Sequence, residues 1–362
     1  MKIVAAMSGG VDSSVATARM IDAGHEVTGV HLALSRTESH GKGRGCCTLD
    51  DARDARRVAD TLGIPFYVWD MSERFAQDVM ADFEAEYRRG RTPNPCLRCN
   101  EKIKFSAVLD KALALGFDGV ATGHYARVMC VEGTFELHRG IDPSKDQSYV
   151  LAVMAPSALP HSFFPLGGDT KDVIRQEAAE RGLLTARKPD SHDICFIPDG
   201  DTAGYLTKTL GEQPGEIRDS ESGAVLGTHQ GTFTVTIGQR RGLGLTIPAE
   251  DGQPRYVVDI APITSTVTLG THAELAVRSI ITEVPIVFSA ESELAHPGLS
   301  VQVRAHGDPV PCTVARTNEG LRIDCDEPIF GLASGQCAVV YQGDRVLASA
   351  TIAATVRESE AA

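Results

Sequence analysis

A glycine-rich loop and a pair of cysteines are the two parts of this sequence whose residue types and spacing could do chemistry. The loop, MSGGVDSS at residues 7–14, follows an apolar run and opens a helix-like pattern. Gly9 and Gly10 would let the backbone approach a ligand closely, the serines offer hydroxyl donors, and a helix N-terminus attracts anions. No G-K-[ST] follows and the spacing is not G-x-G-x-x-G, so neither a Walker loop nor a dinucleotide site is indicated. The loop predicts another kind of phosphate site, with an ordinary glycine-containing turn as the structural alternative.

The second stretch, RRGRTPNPCLRCNEKIKF at residues 88–105, places Cys96 and Cys99 in a C-x-x-C whose loop is stiffened by two prolines. Such a pair can hold a metal ion, carry redox chemistry, or make and break bonds to sulfur. A structural zinc ion takes four ligands, usually from a second pair, and the sequence has no second C-x-x-C. Cys46 and Cys47 are adjacent and do not easily share one ion. A zinc site is therefore disfavoured.

Composition limits the classes of function. The 362 residues are 42% hydrophobic and carry a formal net charge of −13, which indicates a globular protein of two or three domains and argues against broad, nonspecific binding to nucleic acid. The nine cysteines are an odd number spread along the chain, so a disulfide scaffold is disfavoured. The sequence shows neither a signal-peptide pattern nor an apolar run of membrane-spanning length. We expect a cytoplasmic protein without a membrane partner.

One stretch departs from the acidic character of the chain and overlaps the cysteine pair. Between residues 85 and 105, six basic residues face two acidic ones. A solvated helix face is the usual explanation of such a run, and a local site for a nucleic acid is the other. The basic residues are Arg88, Arg89, Arg91, Arg98, Lys102 and Lys104, and the acidic ones are Glu86 and Glu101.

The elements that must position these residues follow from apolar periodicity. The first half alternates strand-like and helix-like runs: KIVAAM, SSVATARMIDAG, EVTGVHLAL, LDDARDARRVADTLG and PFYVWDM. Helical patterns at 72–89 and 101–115 and a strand at DGVATGHYA come next. The alternation predicts an α/β fold with an N-terminal, doubly wound parallel sheet that binds ligands beyond the carboxyl ends of its strands.

The pattern changes after about residue 200. Glycine-rich sequence with short β-prone runs such as TFTVTI predicts a small β-rich central domain, and VQVRA, CTVART, GLRIDCDE and CAVVYQGDRVLASATI predict a C-terminal antiparallel sheet or β-barrel. We expect domains at residues 1–204, 205–275 and 276–357.

Taken with their order, the motifs resemble a known family. SGGVDS at residues 8–13 is similar to the pyrophosphate loop of the ATP pyrophosphatases, which split ATP between its α- and β-phosphates and pass AMP to a substrate oxygen. Six further motifs, spread over nearly the whole chain, resemble the bacterial tRNA-specific 2-thiouridylases: GRTPNPCLRCNEKIKF, ATGHYAR, SKDQSYVL, SHDICFI, TIGQRRGLGL and SGQCAVVYQGDRVL.

This resemblance implies an adenine nucleotide alpha hydrolase-like catalytic domain and tRNA contacts from the C-terminal barrel. The implied activity is ATP-dependent 2-thiolation of the wobble uridine in tRNAs for lysine, glutamate and glutamine, with Mg²⁺ shielding the phosphates. Uridine O2 would attack the α-phosphate, and a cysteine persulfide would then deliver sulfur to C2. The implied partners are tRNA and a sulfur relay protein or cysteine desulfurase.

The resemblance also assigns residues to this chemistry. Cys195 resembles the persulfide carrier and Cys99 the nucleophile. The positions similar to an ATP pocket are Ala6, Met7, Ser8, Gly9, Gly10, Val11, Asp12, Ser13, Leu32 and Gly123. The positions similar to tRNA contacts are Asn94, Pro95, Cys96, His124, Lys145, Asp146, Gln147, Arg304, Ala305 and Gln336, to which the loop arginines Arg240 and Arg241 are added as candidates.

For several of these residues the sequence leaves a structural role open. Asp12 would help to hold a metal ion or the loop, or would cap the helix. A satisfied core histidine is the alternative for His124, a solvated strand charge for Arg304, and a buried structural thiol for Cys195.

Cys96 departs from the family pattern. Many members have an aspartate at this position, with the expected role of general acid or base beside the target base. A thiol is a poorer base unless cationic neighbours such as Arg98 lower its pKa. An iron–sulfur cluster held by Cys96, Cys99 and Cys195 is an alternative route to the same product. A ligase or amidotransferase of the ATP pyrophosphatase class that acts on a small molecule is a further alternative.

Overall fold

The computed structural model describes residues 1–35, 49–189, 194–197, 199–245 and 252–357. The chain divides into two compact units. The first comprises Met1–Met80, Pro95–Gly200 and Asp344–Val346, and the second comprises Ala81–Asn94, Asp201–Gly343 and Leu347–Ala362. Cys46 and Cys47 lie outside the described residues.

The strands of the described residues are, in chain order, β1 (Lys2–Ala6), β2 (Glu26–Ala33), β3 (Phe66–Asp70), β4 (Gly119–Ala121), β5 (Ala126–Val131), β6 (Thr134–Arg139), β7 (Ser162–Phe163), β8 (Gly215–Asp219), β9 (Val225–His229), β10 (Tyr256–Ala261), β11 (Thr266–Gly270), β12 (Ala276–Thr282), β13 (Ile286–Val287), β14 (Leu299–Gln302), β15 (Val310–Arg316), β16 (Leu321–Phe330), β17 (Cys337–Gln342) and β18 (Arg345–Arg357).

The α-helices of the same residues are α1 (Val11–Asp22), α2 (Leu49–Leu62), α3 (Ser72–Phe75), α4 (Ala81–Arg88), α5 (Pro95–Arg98), α6 (Leu109–Ala114), α7 (Ser148–Leu151), α8 (Lys171–Glu180) and α9 (Thr202–Leu210). Two π-helical segments continue them, Ala76–Met80 after α3 and Cys99–Val108 after α5. Short 3₁₀ turns lie at Pro156–His161, Leu184–Arg187, Thr232–Thr234, Pro262–Thr264, Ala273–Leu275 and Glu291–Ala295. Within the described residues no helix is both long and apolar enough to span a bilayer.

The first unit contains the predicted parallel sheet. Its strand order is β3-β2-β1-β4-β7 and every adjacent pair is parallel. Ile3 and Ala5 of β1 pack in one core with α1, α2 and α8, whereas Val4, which points to the opposite face, is also fully buried. Both faces of the sheet are therefore covered, which confirms the doubly wound α/β prediction.

The strand predicted at DGVATGHYA is shorter than expected. Only Gly119–Ala121 joins the sheet, and the chain then turns away and forms a hairpin from β5 and β6. Glu132 and Gly133 both have positive φ, 50° and 84°, which is the two-residue turn that a tight hairpin favours. The E-G pair between two β-prone runs was the available sequence signal for this hairpin.

In the second unit, the predicted β-rich centre is a four-stranded sheet of order β10-β11-β8-β9. The TFTVTI run, residues 232–237, was expected to be a strand, and that prediction was wrong, because none of its six residues lies in a strand. Thr232–Thr234 form a 3₁₀ turn in which the Thr234 hydroxyl donates to the Gly231 carbonyl at 2.6 Å. Phe233 and Val235 are buried there. Threonine hydroxyls can compete in this way with a strand ladder for backbone groups.

The C-terminal β-barrel is confirmed as a closed antiparallel ring. Its order is β12-β16-β15-β14-β17-β18, and β18 pairs back onto β12. Cys312, Cys325 and Cys337 are buried in it. Burial raises the pKa of Cys312 to about 12 and that of Cys325 to about 11, so these two thiols remain protonated and behave as small apolar groups.

The barrel core generates a stability prediction. Ile323 of β16 is fully buried, so Ile323→Ala should lower the free energy of unfolding by about 2–5 kcal/mol through lost burial and a cavity. Ile263→Ala is the matched control, because the Ile263 side chain is fully exposed and its loss should change stability little. Urea unfolding monitored by circular dichroism would measure both, and equal midpoints for the two variants would contradict the packing described for the barrel.

Candidate nucleotide site and reactive cysteines

The glycine-rich loop connects β1 to α1 at the carboxyl edge of the parallel sheet. Gly9 has a φ of +79°, and a Cβ atom built on it would lie 2.3 Å from the Asp51 carbonyl oxygen. A side chain is therefore excluded both by backbone conformation and by space. Gly10 is the extended residue that precedes α1, and it has no side chain to accept hydrogen bonds from the first-turn amides. The N-terminus of α1 therefore has no side-chain cap, which leaves its first-turn amides available to bind an anion.

The serines of the loop shape its backbone. Ser13 accepts a hydrogen bond from the Ser8 amide at 3.2 Å, and the hydroxyls of Ser13 and Ser14 both donate to the Gly10 carbonyl, at 3.1 and 2.8 Å. Ser14 is fully buried and Ser13 nearly so, whereas Ser8 is exposed. Of the predicted hydroxyl donors, Ser8 is thus the most accessible to a ligand.

Asp12 is held by two groups that sequence reasoning did not single out. The Lys171 ammonium donates to both of its carboxylate oxygens at 2.7 Å, and the Tyr125 hydroxyl donates to one of them at 2.8 Å. Lys171 opens α8 and is only 7% exposed. The carboxylate does not cap α1, because both of these partners are side chains from elsewhere in the unit. Asp12 therefore ties the first turn of α1 to α8 and to the segment after β4.

Gly123 stands directly against the loop. A Cβ atom on Gly123 would lie 2.7 Å from the Asp12 carbonyl carbon and 2.7 Å from the Ser13 amide nitrogen. At Gly123 the backbone of the TGHYAR segment therefore packs on the first turn of α1, next to the predicted nucleotide loop. Leu32, the other distant member of the predicted pocket, is buried on β2.

A second lysine missed by sequence reasoning also reaches this loop. Lys188 donates to the Gly9 carbonyl at 3.0 Å and to the carboxylates of Asp51 and Asp54, each at 2.8 Å. Burial acts to lower the pKa of Lys188, but the hydrogen bonds that its ammonium donates to the two carboxylates outweigh this effect, and the pKa is raised. This lysine carries a positive charge at neutral pH.

The predicted tRNA-contacting residues of the first unit occupy a tightly bonded segment. His124 is buried between the rings of Phe105 and Phe164, and its ring nitrogens meet the Thr122 hydroxyl at 2.7 Å and the Lys104 ammonium at 3.4 Å. Burial, aided by the charge of Lys104, holds the pKa of His124 well below its usual value. His124 is neutral at physiological pH, and in this structure it has the surroundings of a core histidine.

Asp146 and Gln147 also have internal partners. Asp146 accepts hydrogen bonds from the Arg139 guanidinium at 2.8 Å and from the Gly140 and Ser148 amides at 2.9 and 3.0 Å. The Gln147 side chain accepts from the Tyr125 amide at 3.0 Å. Both residues order the segment before α7, while Lys145 beside them is partly exposed.

Cys96 and Cys99 differ sharply in exposure although they lie on one helical turn. Cys96 is exposed on α5, and Cys99, at the start of the π-helical segment, is 9% exposed. Cys195 is partly exposed, and the ring of its neighbour Phe196 packs on Phe75 of α3 at 5.9 Å between centroids. Helix α3 packs in turn against the segment that begins with Cys99. The first unit therefore carries both predicted reactive cysteines on neighbouring elements.

The other predicted contacts lie in the second unit, except for Pro95, which is buried in the first. The Gln336 amide donates to the Thr92 carbonyl at 2.7 Å, and Arg304 is exposed while donating to the carbonyls of Phe330 and Gly331 at 3.1 and 2.6 Å. Half-exposed or exposed positions are occupied by Asn94, Ala305, Arg240 and Arg241.

The basic stretch is less positive in the structure than in the sequence. Glu86 pairs with Arg89 and Arg91, each at 2.8 Å. Glu101 pairs with Arg98 and Lys102, each at 2.7 Å. Arg91 is 19% exposed and also pairs with Glu283 at 2.7 Å, so its charge is used in ion pairs within the second unit. Arg88 and Arg89 are the exposed arginines at this end of the stretch.

Comparison with known proteins covers the whole chain. Residues 1–199 match the family model described as a tRNA methyl transferase HUP domain, residues 203–271 a tRNA methyl transferase PRC-barrel domain, and residues 278–352 an aminomethyltransferase β-barrel domain. A 4-thiouridine synthetase solved with RNA and ATP aligns with 58% of this chain and 50% of its own at a TM-score of 0.36 and 18% identity, which is too low to indicate a function.

Curated relatives match at much higher identity. The tRNA-specific 2-thiouridylase MnmA of Acidothermus cellulolyticus is 59% identical over 99% of this chain and 99% of its own length. The protein of the same name from Nocardioides sp. is 57% identical over 99% of both chains, and that from Cutibacterium acnes is 58% identical over 99% of this chain and 98% of its own. The chain belongs to the tRNA-specific 2-thiouridylase MnmA family.

Proposed function

We propose that this protein is a tRNA-uridine 2-sulfurtransferase that uses ATP to convert the wobble uridine of tRNAs for lysine, glutamate and glutamine to 2-thiouridine. This proposal rests on one observation: the same folded unit contains an uncapped helix N-terminus after Gly9 and Gly10 and the two cysteines Cys99 and Cys195. The two cysteines lie on neighbouring elements of that unit. Full-length kinship with 2-thiouridylases supports the identity of the substrate.

The nucleotide step uses the loop at residues 6–13. Its backbone amides and the dipole of α1 hold the pyrophosphate of ATP while uridine O2 attacks the α-phosphate, and pyrophosphate departs. Gly123 and Leu32 complete the pocket. Asp12 does not fit the role of a magnesium ligand here, because Lys171 and Tyr125 already bind its carboxylate. Among the described residues no group of three or more His, Cys, Asp or Glu side chains is arranged to hold a metal ion.

The sulfur step uses two thiols. Cys195 carries a persulfide received from a relay protein or a cysteine desulfurase. The Cys99 thiolate attacks the inner sulfur, which forms a Cys99–Cys195 disulfide and releases hydrosulfide; the hydrosulfide attacks C2 of the adenylated uridine and expels AMP. In the alternative order the terminal sulfur attacks C2 first and Cys99 then frees the thiolated base. Either order leaves a disulfide that an external dithiol must reduce.

Cys96 is the exposed member of the pair and is suited to meet the target base rather than to store sulfur. Its role as acid, base or neighbour of the base belongs to this proposal. An iron–sulfur cluster on Cys96, Cys99 and Cys195 would make the same product, but these three thiols do not form a metal-binding group in the described structure. The persulfide scheme is therefore preferred.

Binding of tRNA is assigned to several parts of the chain. The proposed domains are catalytic (1–204), central β-rich (205–275) and C-terminal barrel (276–357), and the barrel would contact tRNA through Arg304, Ala305 and Gln336. The target uridine would be flipped out of its stack to reach the cysteines. His124, Lys145, Asp146 and Gln147 would support that pocket, and the reaction would take place in the cytoplasm.

Methyl transfer is the second candidate, because two of the matching family models are described as domains of a tRNA methyl transferase. Methylation would require neither cleavage of ATP nor a pair of cysteines. The mass of the modified nucleoside separates the two, because exchange of oxygen for sulfur and addition of a methyl group give different increments.

The first prediction from the proposed function concerns the two cysteines. Purified protein given tRNA, ATP and sulfide or a persulfide donor should form 2-thiouridine, and Cys195→Ser or Cys99→Ser should reduce the rate with the persulfide donor by at least about 100-fold. Cys130→Ser is the matched control, because Cys130 is an exposed thiol with no proposed role. Mass spectrometry of digested tRNA is the measurement.

Three outcomes would contradict parts of this scheme. Wild-type thiolation by Cys99→Ser and Cys195→Ser would remove both cysteines from the mechanism, and a methylated product would favour the second candidate. A visible absorption band in anaerobically purified protein, lost in Cys96→Ser, would replace the persulfide scheme by the cluster.

The second prediction concerns Gly123. In Gly123→Ala the new methyl group would push on the Asp12–Ser13 backbone, so the concentration of ATP needed for half-maximal pyrophosphate release should rise by about tenfold or more. Gly168→Ala adds the same atom where nothing lies within 4 Å and should behave as the wild type. Equal ATP dependence of the two variants would show that the loop does not hold the nucleotide.

The third prediction concerns the basic stretch. Arg88→Glu combined with Arg89→Glu should weaken tRNA binding and reduce its salt dependence, since both side chains are exposed cations, and Arg89 stays 68% exposed while it pairs with Glu86. Arg91 is left intact because its charge is paired inside the second unit. Lys2→Glu is the control, because Lys2 opens β1 at the edge of the sheet opposite the ligand site. If filter binding at several salt concentrations gave the same slope for all three proteins, the stretch would not contact tRNA.

A further inference from the structure

Lys188 is a residue at the predicted nucleotide loop to which neither the motifs nor the proposed mechanism assigns a role. It directly follows the turn Leu184–Arg187, and that turn is fixed to α1 by a hydrogen bond of 3.0 Å between the hydroxyls of Thr185 and Ser14. Thr185 is buried. The Lys188 side chain is therefore delivered to the glycine-rich loop from a defined place in the fold.

The ammonium group of Lys188 has three oxygen partners. It lies 3.0 Å from the Gly9 carbonyl, 2.8 Å from an Asp51 oxygen and 2.8 Å from an Asp54 oxygen. Asp51 is 13% and Asp54 32% exposed at the side chain, and Lys188 keeps 30%. The cation is thus fixed by the carboxylates on one side and by the loop on the other, and part of it remains open to solvent.

This arrangement places a positive charge where two carboxylates lie close to the glycine-rich loop. The Asp51 carbonyl lies against Gly9, so the start of α2 brings two carboxylates close to a loop that must bind a polyanion. Uncompensated carboxylates at such a distance repel phosphates, and partial burial reduces screening by water and salt. The Gly9 carbonyl is a further negative dipole end at the same place, and Lys188 binds it as well.

We propose that Lys188 is a positioning residue for the nucleotide, whose ammonium group, held by Asp51, Asp54 and the Gly9 carbonyl, supplies the positive charge that the pyrophosphate portion of ATP meets beside the loop amides. The proposal rests on the proposed use of ATP. In it, the more buried Asp51 and the Gly9 carbonyl hold Lys188 in place, and Lys188 in turn offsets the negative charge of Asp54 beside the loop.

The test measures binding of inorganic pyrophosphate and of Mg-ATP by calorimetry, and the ATP dependence of tRNA-stimulated pyrophosphate release, in the full-length protein. Lys188→Met should weaken binding of both ligands, and raise the KM for ATP, by at least about tenfold, because Asp51 and Asp54 lose the ammonium group that they share. Lys188→Arg should restore most of the affinity, since a guanidinium keeps the charge. Affinity for tRNA should stay within about twofold in both variants, which also shows that they are folded.

Two further variants separate this role from a merely structural ion pair. Asp54→Asn removes one carboxylate but leaves the lysine, and it should bind pyrophosphate at least as tightly as the wild type. Arg57→Met is the matched control, because Arg57 also pairs with Asp54, at 3.6 Å, through a side chain that is 64% exposed. Loss of that exposed charge should change pyrophosphate affinity by less than about twofold.

The outcomes distinguish this inference from the proposed function. If the wild type binds ATP and releases pyrophosphate but Lys188→Met does so equally well, the role of Lys188 is overturned while the function stands. If Asp54→Asn loses as much affinity as Lys188→Met, the cluster acts only by holding the fold and the inference also fails. If the wild type itself binds neither ATP nor pyrophosphate, the proposed function fails first.

Discussion

The close approach of backbone to backbone around the first turn of α1 is the constraint on which the first unit depends. Gly9 meets the Asp51 carbonyl on one side and Gly123 meets the Asp12–Ser13 peptide on the other, and in both places a Cβ atom would overlap main-chain atoms. Main chain cannot move aside as a flexible side chain can. Helix α2, the segment after β4 and the helix N-terminus are therefore fixed relative to one another by the absence of two side chains.

Charge compensation follows from this packing. Elements that approach so closely bring their carboxylates together, and two lysines compensate this negative charge. Lys171 binds Asp12, and Lys188 binds Asp51 and Asp54. Charges are paired in the same way in the basic stretch, where Glu86 and Glu101 neutralise much of the positive charge. Within the described residues, several positive side chains are thus already paired with carboxylates. Their effect reaches only about 8 Å at physiological salt, so placement matters more than total charge.

Local sequence patterns predicted most of the fold and part of the site. The parallel sheet, the loop and the barrel strands follow from apolar periodicity and from glycine at required positions, because both signals act over a few residues. Lys171 and Lys188 left no such signal. Their partners Asp12 and Gly9 are 159 and 179 residues away, and a lysine in a helix-like or polar stretch looks like a solvated charge until the tertiary fold is known. The strand prediction for TFTVTI failed for a related reason, since Thr234 bonds to a local backbone carbonyl and Phe233 and Val235 are buried without a strand.

The unequal burial of Cys96 and Cys99 bears on how sulfur chemistry can occur in this chain. The two thiols are one helical turn apart, yet Cys96 is exposed and Cys99 is largely buried. A base that stays stacked in an RNA helix could not reach a buried thiol, whereas a base flipped out of a single-stranded loop could enter the protein. Burial of Cys99 in turn would limit access of competing thiols to the site where its attack on the Cys195 persulfide releases hydrosulfide. The π-helical geometry that begins at Cys99 is of a kind that recurs at functional sites, and here it begins at the thiol that the proposed mechanism requires.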